Sequence, residues 1–303
     1  MKFKNSLTMA YVQHKTSRRH FIRVIAGGAG AVTTMGFLSS FAPEKHNVIK
    51  AALFSDTHIS ENKEDHPNDF YPYKNLQKVV QEILRSDTEA AVITGDLARK
   101  EGIVADYNNV KELIDPLSDR MPVAFAMGNH DRHKPFLEVF TKTTGKRQDI
   151  DNRFVNVIEY PKMRFVILDS LDKCPSHGFL GKAQRNWLKS YLTDHADKPV
   201  ILFVHHSFKD YDGELIDSDR LFDIIRDQKQ VKAIVYGHSH AYNFSVRDNI
   251  HLINLPSTAY NFRPSEPLGW VEAELSDKGG SFKLHAVAGN TDKNGEVTEL
   301  KWR

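Results

Sequence analysis

From residue 48 onward, short apolar runs alternate with amphipathic stretches. Residues 48–54, 90–94 and 122–127 are almost continuously apolar, which predicts strands buried on both faces. Between them Leu76, Val79, Val80, Ile83 and Leu84 recur at helical spacing, as do Val110, Leu113, Ile114 and Leu117. Residues 164–168 and 199–204 repeat the strand texture around one helical stripe of Trp187, Leu188, Tyr191 and Leu192. Leu221, Ile224 and Ile225 predict a further helix ahead of a strand at 233–236. After Gly237 the pattern becomes strand-rich, at 250–255, 270–275 and 281–287, with turn residues between. This is the rhythm of an α/β protein with parallel strands in two halves. Two such halves imply two sheets packed face to face with helices outside, although the rhythm alone does not exclude one doubly wound sheet. The polar segments 60–73 and 206–219 read as rim loops, and neither a repeat nor a linker divides 46–303.

Residues 1–42 have a different texture. Thr16, Ser17, Arg18, Arg19, His20, Phe21, Ile22 and Arg23 precede a Gly- and Ala-rich apolar stretch at 24–38. Paired arginines ahead of a phenylalanine and a moderately apolar run resemble a bacterial twin-arginine export signal. The stretch is too short to cross a bilayer comfortably, and the third glycine that a nucleotide-binding loop needs is missing. Ser40, Phe41 and Ala42 offer small residues before a cleavage point, although Pro43 is a poor residue to follow one. Removal near Ala42 would take away six basic residues and no acidic ones, lowering the formal charge from +2 to −4. A mildly acidic mature chain lacks the cationic footprint of a nucleic-acid binder. The expectation is a protein carried by the twin-arginine export machinery to the periplasm or cell envelope, with no permanent membrane span once the signal is cleaved. The 46–303 domain, 40% hydrophobic and 26% charged over the chain, has the composition to bury a substantial core. Its stability must come from that core, because the single Cys174 cannot form an internal disulfide; it reads as a small buried apolar residue rather than a nucleophile.

Five short motifs fall where the apolar runs end. They are Asp56-Thr57-His58, Gly95-Asp96, Gly128-Asn129-His130-Asp131, His205-His206 and Gly237-His238-Ser239-His240. Each alone is weak, since a lone histidine is more often structural than a ligand. Together they offer imidazole, amide and carboxylate groups, a donor set that suits Mn, Fe or Zn. The D-x-H spacing fits an extended strand end, where alternate side chains project to one side. Gly95, Gly128 and Gly237 would permit tight turns beside a metal.

In order and type these motifs resemble the calcineurin-like metallophosphoesterase superfamily, and the likeness spans most of the chain. The resemblance implies a four-layer α/β/β/α sandwich of two mixed sheets. It implies two metal ions, with Asp56, His58 and His240 holding one, Asn129, His205 and His238 the other, and Asp96 bridging. It also makes His130 the group that protonates the leaving alkoxide or stabilises the phosphoryl charge, with Asp131 fixing its tautomer by a hydrogen bond. His206 reads as a pocket-wall residue behind the ligands. Arg99, Arg132 and His177 read as solvated loop residues.

Departures narrow the resemblance. After Gly95-Asp96 the chain runs Leu97-Ala98-Arg99, without the tyrosine of purple acid phosphatases or the Val-Asp-Arg-Gly of calcineurin-type protein phosphatases. Leu168-Asp169-Ser170, Gly178, Leu180, Gln184, Trp187 and Leu188, followed by Val204-His205-His206, are similar to the class III cyclic-nucleotide phosphodiesterase branch, although Ser207-Phe208 replace that branch's prolines. The expectation is an exported dinuclear-metal hydrolase acting on a small phosphodiester or phosphomonoester by attack of a metal-bridging hydroxide. Two alternatives are a nucleotidase or nucleotide-sugar pyrophosphatase on the same core, and a catalytically silent metal-bearing binding protein, against which the presence of His130 and Asp131 argues.

Overall fold

The computed structural model describes residues 48–172, 176–208 and 214–303. The export segment with Arg18 and Arg19, and Cys174, lie outside the described residues, all of which belong to one compact unit, His46–Arg303.

In the first half, β1 (Ile49–Phe54), β2 (Ala90–Ile93) and β3 (Val123–Phe125) run parallel. Between them come α1 (Pro72–Arg85) and α2 (Val104–Ser118), and α3 (His133–Val139) follows β3. Pro72 begins α1, where its missing N–H costs nothing. The second half opens on the short β4 (Lys146–Arg147) and β5 (Asn156–Glu159), then β6 (Arg164–Ile167), α4 (Gly181–Asp194), β7 (Val200–Phe203), α5 (Ser218–Ile225) and β8 (Val231–Tyr236). The chain ends in β9 (Asn243–Arg247), β10 (Ile250–Asn254), β11 (Pro267–Leu275), β12 (Gly279–Gly289) and β13 (Val297–Lys301).

These strands form two mixed sheets. One has the order β13-β12-β11-β1-β2-β3, the other β4-β5-β6-β7-β8-β10-β9. The last segment of the chain therefore returns to the first sheet, with β11 antiparallel to β1.

Strand alternation then sorts the side chains into layers. On β1, Ala51 and Leu53 face the second sheet's Phe165, Phe203 and Val235 in a central cluster, while Ala52 and Phe54 face Leu76, Val79 and Val110 of the helices. On the far side, Leu202 and Ile234 pack against Leu188, Leu192, Leu221 and Phe222. Three apolar layers separated by two sheets make a four-layer α/β/β/α sandwich, and continuous apolar runs are what doubly covered strands require.

Candidate metal centre

The expected ligands come together at one end of this sandwich, in the loops that leave β1, β2, β3, β7 and β8. All five loops lie at the carboxyl ends of parallel strands, where an α/β sheet places its sites.

The loops are braced by backbone rather than extended. The N–H of Asp56 donates to the Gly95 carbonyl (3.1 Å), that of His58 to Asp96 (3.0 Å) and that of Ile59 to Leu97 (2.9 Å). Asp56 and His58 have φ of 53° and 43°. The extended D-x-H geometry expected from spacing is thus corrected: following the Gly95–Leu97 loop forces both residues into the left-handed region. Asp96, His238 and His240 share that region, at φ 50°, 71° and 50°. The other non-glycine residues with positive φ among those described are all Asn or Asp, so the only histidines there are the three of this site. Each such residue costs on the order of 1 kcal/mol or more, and strain of this kind collects at functional sites.

The glycines serve proximity more than turning. Gly95 has φ +102°, and a Cβ there would also stand 2.7 Å from His205 Nδ1. Gly128 and Gly237 are without positive φ, correcting their expected role. Any side chain on Gly128 would collide with the Asp96 carboxylate, and on Gly237 with Ser55 and Asp56. Gly237 thereby lets a loop of one sheet close on a loop of the other, and the His238 N–H donates to Asp56 Oδ2 at 3.0 Å.

The side chains form two adjoining clusters. In the first, His58 Nε2 lies 3.1 Å from His240 Nε2 and 3.9 Å from Asp56 Oδ1, and His240 Nε2 lies 3.4 Å from Asp56 Oδ1. In the second, His205 Nε2 lies 3.2 Å from Asn129 Oδ1 and 3.2 Å from His238 Nδ1. Asp96 Oδ2 stands between them, 3.6 Å from His58 Nε2 and 3.4 Å from His205 Nε2. Backbone carbonyls take the remaining ring protons. His240 Nδ1 donates to Tyr260 (2.6 Å), His205 Nδ1 to Thr94 (2.8 Å), and His58 Nδ1 faces the Arg99 carbonyl at 3.4 Å. The free nitrogens of His58 and His240 are left facing each other and two carboxylates, an arrangement of acceptors that suits a cation. Mutually close groups of this kind include Asp56, His58 and His240 together, and Asp56, Asp96 and His205.

Burial makes the imidazoles good ligands. It lowers His58 to about 3 and His238 to about 4, so both are neutral near pH 7. Burial would depress His205 too, but the Asp96 carboxylate, joined by Asp56 and the Thr94 carbonyl, outweighs it and raises this imidazole to about 9. Asp56 and Asp96, which burial would raise, are held below the ordinary range chiefly by His240 and His205 respectively.

His130 sits at the open side. Its Nε2 lies 3.9 Å from Asp96 Oδ2, its N–H donates to Asp96 Oδ1 (2.9 Å), and its Nδ1 faces the Lys100 carbonyl at 3.2 Å. The expectation that Asp131 orients this ring is corrected. The Asp131 carboxylate is fully buried and accepts from the N–H groups of Leu97 (3.1 Å), Ala98 (3.2 Å) and Gly128 (2.9 Å), and from the Tyr107 hydroxyl (3.1 Å). It ties two ligand loops together, and the Lys100 carbonyl sets the His130 tautomer. Arg132 is likewise a brace rather than a solvated residue, donating to the carbonyls of Asn129 (2.9 Å) and Asp131 (2.6 Å).

His206 is buried behind the ligands, with Nδ1 2.7 Å from Ser170 Oγ and its ring 4.9 Å from those of His205 and His238. One sixth loop escaped sequence reasoning. It leaves β10, which is parallel to β8, and carries Tyr260, whose ring lies 5.0 Å from His58 and 4.7 Å from His240. The carboxyl end of a further parallel strand, at Leu255, was the available signal.

The Calcineurin-like phosphoesterase family matches residues 49–242. A probable cyclic nucleotide phosphodiesterase of Ruthia magnifica is 27% identical over 212 residues, 68% of this chain and 85% of the relative. A probable glycerophosphodiester phosphodiesterase of Arcobacter nitrofigilis is 27% identical over 215 residues, 68% of this chain and 77% of the relative. Among solved structures, a dimetal phosphatase from Danio rerio superposes with a TM-score of 0.67 at 16% identity, covering 84% of this chain and 99% of its own, which speaks to the fold. With the matched region spanning β1 to the Gly237-His238-Ser239-His240 turn, the chain belongs to the calcineurin-like phosphoesterase family and is a metal-dependent phosphoester hydrolase.

Proposed function

We propose that the chain is an exported phosphodiesterase that binds two metal ions, one by Asp56, His58 and His240, the other by Asn129, His205 and His238, with Asp96 shared. The observation that carries this reading is the position of Asp96 Oδ2, within 3.6 Å of a ring nitrogen in each cluster. Mn, Fe or Zn bound there would neutralise the phosphate and acidify a coordinated water. The chain's own part is to hold the ligands on braced loops and to keep His58 and His238 unprotonated. His130, with Nδ1 on a carbonyl, presents Nε2 beside Asp96, where it can hand a proton to the departing alkoxide. The names of the similar proteins from Ruthia and Arcobacter favour a diester over a monoester. Arg18 and Arg19 favour export.

The reading is tested by metal analysis of protein purified from its native compartment, paired with a screen of phosphate diesters and monoesters. About two ions per chain and turnover of diesters are expected. One ion per chain at full activity would refute the shared carboxylate, and monoester turnover alone would refute the diester preference.

A further inference from the structure

Phe262 is 63% exposed, the most exposed of the large apolar residues among those described. It stands beside the metal centre. Its ring stacks on the imidazole of His240 with centroids 4.4 Å apart and planes 21° from parallel. Exposing a phenyl ring forfeits the gain of burying it, and single exposed apolar residues are common. What sets this one apart is that the backbone around it is fixed. The Ala259 carbonyl accepts from Asn75 Nδ2 (3.1 Å), the Tyr260 carbonyl from His240 Nδ1 (2.6 Å) and the Asn261 carbonyl from Asn68 Nδ2 (3.3 Å). Asn261 in turn donates to the Glu266 carbonyl (2.8 Å). The loop is anchored immediately before the ring, so the ring is held out rather than left adrift.

We propose that Phe262 is a stacking shelf for a flat aromatic group on the substrate, a nucleobase or an aryl ester, and so a specificity residue of this site. The proposal rests on the phosphodiesterase reading for the position of the phosphate. His240 Nε2 points into the first cluster in the plane of its ring, and Phe262 lies parallel to that plane. A phosphate held at the cluster therefore has the shelf at its flank, within reach of an ester substituent. One face of Phe262 is taken by the imidazole and the exposed remainder offers a π surface, which stacks on any base or aryl ring.

The surroundings select against a cationic head group. An aromatic cage for an ammonium needs several open faces, but Tyr260 meets Phe262 edge-on (77°, 5.8 Å) and is itself only 9% exposed. The Arg99 guanidinium, 5.6 Å from the Tyr260 ring, is paired with Asp65 at 2.6 Å, so that carboxylate is already engaged and does not serve an ammonium. A single open platform suits a flat neutral ring.

The test uses the full-length, Mn-loaded protein and phosphonates, which bind without being cleaved. Calorimetry compares phenylpropylphosphonate, an adenine-bearing alkylphosphonate and propylphosphonate on wild type, Phe262→Ala and Phe262→Trp. Wild type should prefer the ring-bearing ligands, Phe262→Ala should lose about tenfold in affinity for them and none for propylphosphonate, and Phe262→Trp should restore the preference. The larger loss, on the phenyl or the adenine ligand, identifies which source of the ring the shelf serves. Equal weakening of all three ligands, or a wild type with no preference for a ring, would overturn the shelf. A retained ring preference in a protein that hydrolyses no ester would leave the shelf standing and remove the phosphodiesterase reading.

Discussion

Asp96 Oδ2 lies 3.4 Å from His205 Nε2, and the same oxygen is 3.6 Å from the ring nitrogen that His58 contributes to the neighbouring cluster. One carboxylate oxygen thus stands between two clusters, each of which draws its side chains from both sheets. Asp96→Ala should lower bound metal from about two ions per chain to one or fewer and abolish turnover. The metal-free variant should remain folded on its backbone braces and be less stable than chelated wild type by about 1–3 kcal/mol, because the His130 N–H loses its acceptor. Metal analysis and thermal unfolding of both proteins under chelation check this; near wild-type turnover in the variant would remove the shared-carboxylate reading.

In the proposed reading His130, which stands close to His58 and Asp96, donates a proton and is not a ligand. His130→Ala should retain both metals yet slow esters with poor leaving groups by roughly 10²- to 10⁴-fold, the range of a lost general acid. Activated aryl esters, which need little protonation, should lose much less. Equal losses across a leaving-group series would point to a positioning role in place of proton transfer.

Asp131 should behave differently from its sequence neighbour. Removing its carboxylate leaves three buried N–H groups and the Tyr107 hydroxyl without their acceptor, and each unsatisfied group costs about 1–3 kcal/mol. Asp131→Ala should therefore lower unfolding stability by roughly 3 kcal/mol or more, while the leaving-group dependence of the molecules that remain folded stays that of wild type. Denaturant titration beside a leaving-group series separates the two residues. A variant of normal stability that nevertheless loses the His130 dependence would restore Asp131 as the orienting group.

Proton release reports on His205. In the metal-free protein this imidazole is raised to about 9, whereas His58 at about 3 and His238 at about 4 already lack the proton at pH 7. A cation can use His205 Nε2 only after displacing that proton. Binding at pH 7 should thus release about one proton from this residue, and metal affinity should climb about tenfold per pH unit until it levels near pH 9. Calorimetry in buffers of different ionisation enthalpy measures the release, and His205→Gln should lack it. Affinity independent of pH between 6 and 9 would contradict the assignment.

How much of this was legible depends on where the information resides. β1, β2, β7 and β8 are covered on both faces, so their sequences are apolar runs interrupted only by Lys50 and Lys232 near the starts of β1 and β8. β9 and β13 are edge strands with mostly exposed or half-buried residues, and β4 and β5 are too short to show a period. The proposed ligands stand out in the sequence because few side chains can hold a metal and these stand at strand ends. Their left-handed backbone does not, because it is imposed at Asp56 and His58 by a loop about 40 residues away. Asp131 misled for a related reason: its partners are mainly backbone N–H groups, which leave no mark in the sequence. Phe262 belongs to no motif, and only its exposure beside His240 distinguishes it.

The export proposal links the amino-terminal segment to this architecture. The seven proposed ligands run from Asp56 to His240 and converge only once both sheets have formed, so metal loading must follow folding. An export route for unfolded chains would postpone loading until after transport, whereas the route read from Arg18 and Arg19 carries folded proteins and allows it before. Replacing both arginines with lysine should leave active, metal-loaded enzyme in the cytoplasm with unchanged turnover in vitro. Cell fractionation of the two versions, with activity and metal measured in each fraction, decides the matter. Unchanged export of the double-lysine form would refute the twin-arginine assignment and leave the metal centre as described.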